Sequence, residues 1–86
     1  MKATVHVTLK RSVLDPQGQA IHHAVRTLGY EGIREIRQGK YFEIELEDAI
    51  SPERARALLE QLARDVLANP VLEEYWVEVP VQEEER

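Results

Sequence analysis

Cysteine is absent from the 86-residue sequence, which removes disulfides, thiolate metal sites and cysteine nucleophiles at once. Serine occurs twice, histidine three times, and tryptophan and methionine once each. No apolar run approaches the ~20 residues that a membrane span needs. The residues after Met1 alternate in polarity instead of forming an apolar block, so neither a membrane segment nor a signal peptide is expected. Positive charge is also short. Eleven Lys and Arg stand against sixteen Asp and Glu, a net charge of −5. Nucleic-acid binding rests on clustered cations, so this balance argues against it. A cytoplasmic location is the expectation.

What remains is a folded-protein composition, 43% hydrophobic and 31% charged. The length sets a ceiling of one compact domain, expected over residues 1–81, with 82–86 as a short charged tail. A chain this small buries only about 60–65% of its unfolded surface, so its core is marginal. Self-association to a dimer or tetramer is therefore expected.

Residues 3–9 alternate strictly, with Ala3, Val5, Val7 and Leu9 on one side, the pattern of a half-buried strand. Asp15 and Pro16 then read as N-cap and first position of a helix, whose stripe is Ala20, Ile21, Ala24, Val25 and Leu28. Gly29 is its stop. Residues 33–38 and 40–47 read as two strands joined by a tight turn at Gln38-Gly39. Ile33 and Ile36 fall on opposite parities, which implies a bulge in the first of them. A second helix starts at Ser51-Pro52 and keeps 3-4 apolar spacing from Ala55 to Leu67. Asn69-Pro70 ends it. Tyr75 to Val81 alternates again, and Pro80 marks it as an edge or terminal strand. The order is β-α-β-β-α-β, an α+β fold with an antiparallel sheet and both helices on one face.

No catalytic set emerges. His6 lies on the outward parity of the first strand, and His22 and His23 sit off the first helix's apolar stripe, where solvated side chains are expected. Ser12 and Ser51 occupy a loop and a cap. Glu43, Glu45 and Glu47 line one strand about 7 Å apart; a solvated or partner-facing charge stripe explains them better than a metal site. Tyr41 and Trp76 are the only candidates for base stacking, and the acidic charge opposes that role. No cofactor is expected on this chain.

Three polar segments are more specific than a generic domain requires. They are Leu9-Lys10-Arg11-Ser12-Val13-Leu14-Asp15-Pro16-Gln17-Gly18, then Arg37-Gln38-Gly39-Lys40, then Leu67-Ala68-Asn69-Pro70-Val71-Leu72-Glu73-Glu74-Tyr75. Together and in this order they resemble the PurS family, the small subunit of phosphoribosylformylglycinamidine synthase. Ser12 stands where the family pattern commonly has glycine, Leu72 where it has isoleucine, and Glu74 where it has aspartate.

The resemblance implies a PurS-like α+β fold and a place in purine (IMP) synthesis. There PurQ releases ammonia from glutamine, and PurL uses ATP and magnesium to amidate formylglycinamide ribonucleotide. PurS carries neither reaction; it bridges the two and aids ammonia transfer. Lys10, Arg11, Asp15, Gln17, Gly18, Arg37, Gly39, Lys40, Asn69, Pro70 and Tyr75 become the candidate interface and motif residues. Arg37 and Lys40 are expected to project into water and dock an acidic patch, with Gly39 supplying a positive φ to the turn between them. The alternative is a regulatory small-molecule domain of the ACT type, which would bind its ligand around Arg11 to Gly18.

Overall fold

The computed structural model describes residues 1–80. Its elements are β1 (Lys2–Leu9), α1 (Pro16–Thr27), β2 (Gly39–Glu45), α2 (Pro52–Leu62) and β3 (Glu73–Glu78), with a π-helical turn over Ala63–Leu67 prolonging α2. The sheet is antiparallel in the order β2-β1-β3. Its register pairs Val5 with Phe42 on one side and with Val77 on the other. Alternation along β1 places Ala3, Val5 and Val7 on the inner face, where all three are buried. Ala55, Leu59 and Ala63, spaced by four, bring one stripe of α2 and its extension down onto that face. Both helix starts follow the sequence. Asp15 and Ser51 cap α1 and α2 through the amides of Gly18 and Arg54, each followed by a proline at the first position.

The α+β class and the antiparallel sheet agree with the sequence reading; two details differ. Residues 33–38 form no strand, so the order is β-α-β-α-β and Gln38-Gly39 is no hairpin turn. That segment is held by side chains instead of by a strand ladder, so the opposite parities of Ile33 and Ile36 mark a loop and not a bulged strand. The second detail is α1. Helix α2 covers the inner face beside β3, but α1 stands away from the sheet: Ile21 is 41% and Leu28 74% exposed. The result is an open shape, 50 × 33 × 16 Å, with a radius of gyration of 16.8 Å. A compact chain of this length would have about 12 Å.

β3 is an edge strand, as expected, but it runs over Glu73–Glu78 and not Tyr75 to Val81, so Pro80 lies beyond its end; β2 is the other edge. Val81 and the expected tail 82–86 lie outside the described residues.

Candidate functional site

The three motif segments, far apart in sequence, meet at one end of the sheet. Asp15 is the centre. It is 5% exposed, and its two carboxylate oxygens serve two chain segments. Oδ1 accepts the Gly18 amide at 3.0 Å and so caps α1, while Oδ2 accepts the Gln38 amide at 2.9 Å. These bonds, with Arg37 nearby, hold its carboxyl below the usual aspartate range against the opposing effect of burial. Gln17 reinforces the same junction through a side-chain hydrogen bond from Gln38.

Arg37 turns inward. Its Nη2 donates to the Lys10 carbonyl at 3.1 Å and the Val13 carbonyl at 2.8 Å, and Nη1 lies 3.4 Å from Glu35. The loop after β1 turns those carbonyls out of the sheet ladder, and one guanidinium nitrogen donates to both, the Lys10 carbonyl also accepting the Val13 amide at 2.9 Å. Lys40 pairs with Glu73 of β3 at 3.6 Å, bringing the third motif to the same place. The Lys10 amide donates to the Leu72 carbonyl at 2.9 Å, a second tie between first and third motifs. Asn69 builds the turn before β3: its side-chain oxygen accepts the Val71 amide at 3.0 Å, and its carbonyl accepts the Glu73 amide at 2.7 Å. Pro70 lies inside that turn. Tyr75, opposite Val7, packs half-buried against the core.

Two expectations change here. Arg37 does not project into water, because two backbone carbonyls hold it. Gly39 has no positive φ; only Gly29 and Gly32 do. Its need for glycine is spatial, since a Cβ would overlap the Val7 carbonyl oxygen and approach the Thr8 methyl to 2.6 Å. Arg37→Ala is accordingly expected to lower stability by about 2 kcal/mol, from two lost charge-assisted hydrogen bonds that are partly open to solvent. Lys40→Ala should cost about 0.5 kcal/mol or less, as exposed ion pairs do. Urea melts of both variants check this; equal, small losses would return Arg37 to the surface.

Arg11 borders the junction, on a cleft that Asp15 and Arg37 also line. The cleft, of about 370 Å³, lies between the β1–α1 loop and residues 34–37, with Ser12, His22 and Arg34 in its wall. His22 is half-buried there, not simply solvated, with Nε2 2.7 Å from the Ile33 carbonyl. Among the described residues no three His, Asp or Glu side chains are placed to hold a metal ion. Glu43, first of the glutamate stripe, pairs with Lys2 at 3.6 Å and accepts the Tyr41 hydroxyl at 3.2 Å.

The register also makes a grouping that the sequence did not disclose. Tyr41, His6 and Trp76 stand directly across from one another on the outer face. The outward parity of His6 and the stacking candidates Tyr41 and Trp76 were its separate signals; their alignment follows from the register.

Fold and site together define an open α+β domain whose distinctive polar residues tie three chain segments into one junction. A family model described as PurS, phosphoribosylformylglycinamidine (FGAM) synthase, matches residues 2–81. The PurS subunit of that synthase from Mycobacterium leprae is 43% identical over 76 residues, 88% of this chain and 91% of the relative. The crystal structure of Methanocaldococcus jannaschii PurS superposes with a TM-score of 0.84 at 34% identity, covering 95% of this chain and 98% of that one. A chain in the structure of PurLQS from Thermotoga maritima superposes at 0.82 with 30% identity, covering 92% and 95%. The chain belongs to the PurS family.

Proposed function

We propose that the chain is the non-catalytic small subunit of a phosphoribosylformylglycinamidine synthase, self-associated and docked between a PurQ glutaminase and a PurL amidating subunit. The observation that carries this reading is the convergence of the three PurS-like motifs on a single junction, in a chain matched by the family along residues 2–81. The PurLQS structure of the Thermotoga protein supports partners of that kind. On this reading ATP and magnesium are used by PurL, the location is cytoplasmic, and no reacting group is supplied by this chain. Its contribution is geometric: it keeps two sites in register so that ammonia meets its acceptor before water does. The ACT reading is not favoured, because the family match extends over nearly the whole chain.

Self-association is supported by the open shape. The apolar stripe of α1 lies uncovered, and Phe42 and Ile44 on the β2 side of the inner face are only partly buried. A second copy offers both a helix for that face and a face for that helix.

The test is glutamine-dependent amidation by PurL plus PurQ, with and without this chain, alongside light scattering of the chain alone. The expected results are loss of coupled activity on omission and a mass of two or four protomers. Unchanged coupling on omission would overturn the bridging role, and a 9.9 kDa species at micromolar concentration would overturn self-association.

A further inference from the structure

Among the described residues no helix covers the outer face of the sheet, and the centre of that face is aromatic. His6 stacks on Trp76 with ring centroids 4.9 Å apart and planes within 4°. Tyr41 meets the other side of His6 edge-on, at 5.1 Å and 61°. The three rings cross all three strands in a single row. Trp76 is 47% and Tyr41 57% exposed, a large open aromatic area for a chain with so few aromatics.

Charge surrounds the row. Register places Glu43 and Glu45 of β2, and Glu74 and Glu78 of β3, on the same face, with Lys2 as the one lysine or arginine. Lys2 is engaged by Glu43 at 3.6 Å. Glu78 lies 3.7 Å from His6 and accepts from Thr4. Glu45 and Glu74 have no ion-pair partner among the described residues. A second copy of the same face would bring four carboxylates against four, which repel, and phosphate would meet the same repulsion.

A planar cation fits instead. Arginine stacks on indole and phenol rings and reaches carboxylates with its fork. Trp76 is covered by His6 on one side only, and β3 is an edge strand, so the indole's far side is open to such a group. We propose that the Tyr41–His6–Trp76 row and its flanking glutamates form a docking surface for an arginine-bearing segment of a partner subunit. This rests on the assembly role proposed above and names the face that serves it.

Trp76 is the only tryptophan, so the chain labelled with 5-fluorotryptophan carries a single fluorine reporter on this face. Purified PurL and PurQ are added, separately and together, while size exclusion follows complex formation independently. The expected result is a displaced fluorine resonance in the complex, and about tenfold weaker binding with a shallower salt dependence for the double variant Glu74→Gln, Glu78→Gln. A complex that forms with the resonance unmoved would overturn this surface and leave the assembly role standing. Failure to form any complex would remove the assembly role itself, and this proposal with it. A resonance that moves with the chain's own concentration would assign the face to a second copy, against the proposal.

Discussion

Gly18→Ala is expected to cost about 3 kcal/mol, the upper range for forcing extra volume into a packed site. The reason is neither helix propensity nor a left-handed backbone, since Gly18 lies at the third position of α1 and has no positive φ. It is the approach of the segment before β2 to the start of the helix. A Cβ on Gly18 would overlap the Ile36 carbonyl oxygen, lie 2.8 Å from Asp15 Oδ2 and 3.0 Å from the Arg37 Cα. Two of those three neighbours are backbone and cannot rotate away. The third is the carboxylate that bonds the Gln38 amide. Relief therefore requires residues 36–38 to withdraw, which breaks that bond and loosens Arg37 from its carbonyls. Gly29→Ala is the internal comparison. Gly29 has φ +97 with nothing within 4 Å of a built Cβ, so its cost is conformational strain alone, about 1 kcal/mol. Denaturant unfolding of the two variants gives the ranking. Equal losses would mean that the helix start is not closely packed against residues 36–37.

The same contrast shows what the sequence could and could not disclose. Periodicity was enough for β1, α2 and β3, because alternation or 3-4 spacing follows directly from facing a core. Caps were legible for the same local reason: Asp15 and Ser51 act on amides three residues away. Residues 33–38 read as a strand because Gln38-Gly39 looks like the tight turn of a hairpin with 40–47. What holds them is non-local, namely His22 on the Ile33 carbonyl, Asp15 on the Gln38 amide and Arg37 on the loop after β1. No window of sequence contains those pairs. The motif residues were recognisable as words, yet their convergence was not. Arg37 beside Lys40 reads as a paired surface charge until the fold brings the Lys10 and Val13 carbonyls to the first of them. Gly39 reads as a turn residue until the ladder sets it opposite Thr8 and close to the Val7 carbonyl. The stripe of α1 is legible from its 3-4 spacing, but amphipathicity does not say whether the covering surface belongs to the same chain.

Asp15 gives the second large effect, and one with a pH signature. Removing it with Asp15→Ala takes away acceptors for two amides, that of Gly18 at the helix start and that of Gln38, 23 residues beyond Asp15. The loss should be roughly twice that of a lone cap, a fall in Tm on the order of 10 °C. Asp15→Asn is the more informative change, because it keeps the shape. One amide oxygen can still accept, but the NH2 group must then face the other backbone N–H, so one bond is replaced by a clash of donors. The folded carboxyl titrates below its ordinary value, chiefly because the Gly18 and Gln38 amides bond its charged form. A depressed carboxyl stabilises the fold above its unfolded pKa of about 3.9, and that contribution is lost as pH falls from there through the folded value. Protonated Asp15 presents an O–H where the side-chain amide of the Asp15→Asn variant presents an N–H, so wild type and variant should converge under acid. Urea unfolding at a series of pH values reads this directly. The gap should be wide and constant from pH 7 to about 5, then narrow below about pH 4. A gap that stays constant down to about pH 2.5 would mean that the charge on Asp15 is not what holds the helix start to the entry of β2.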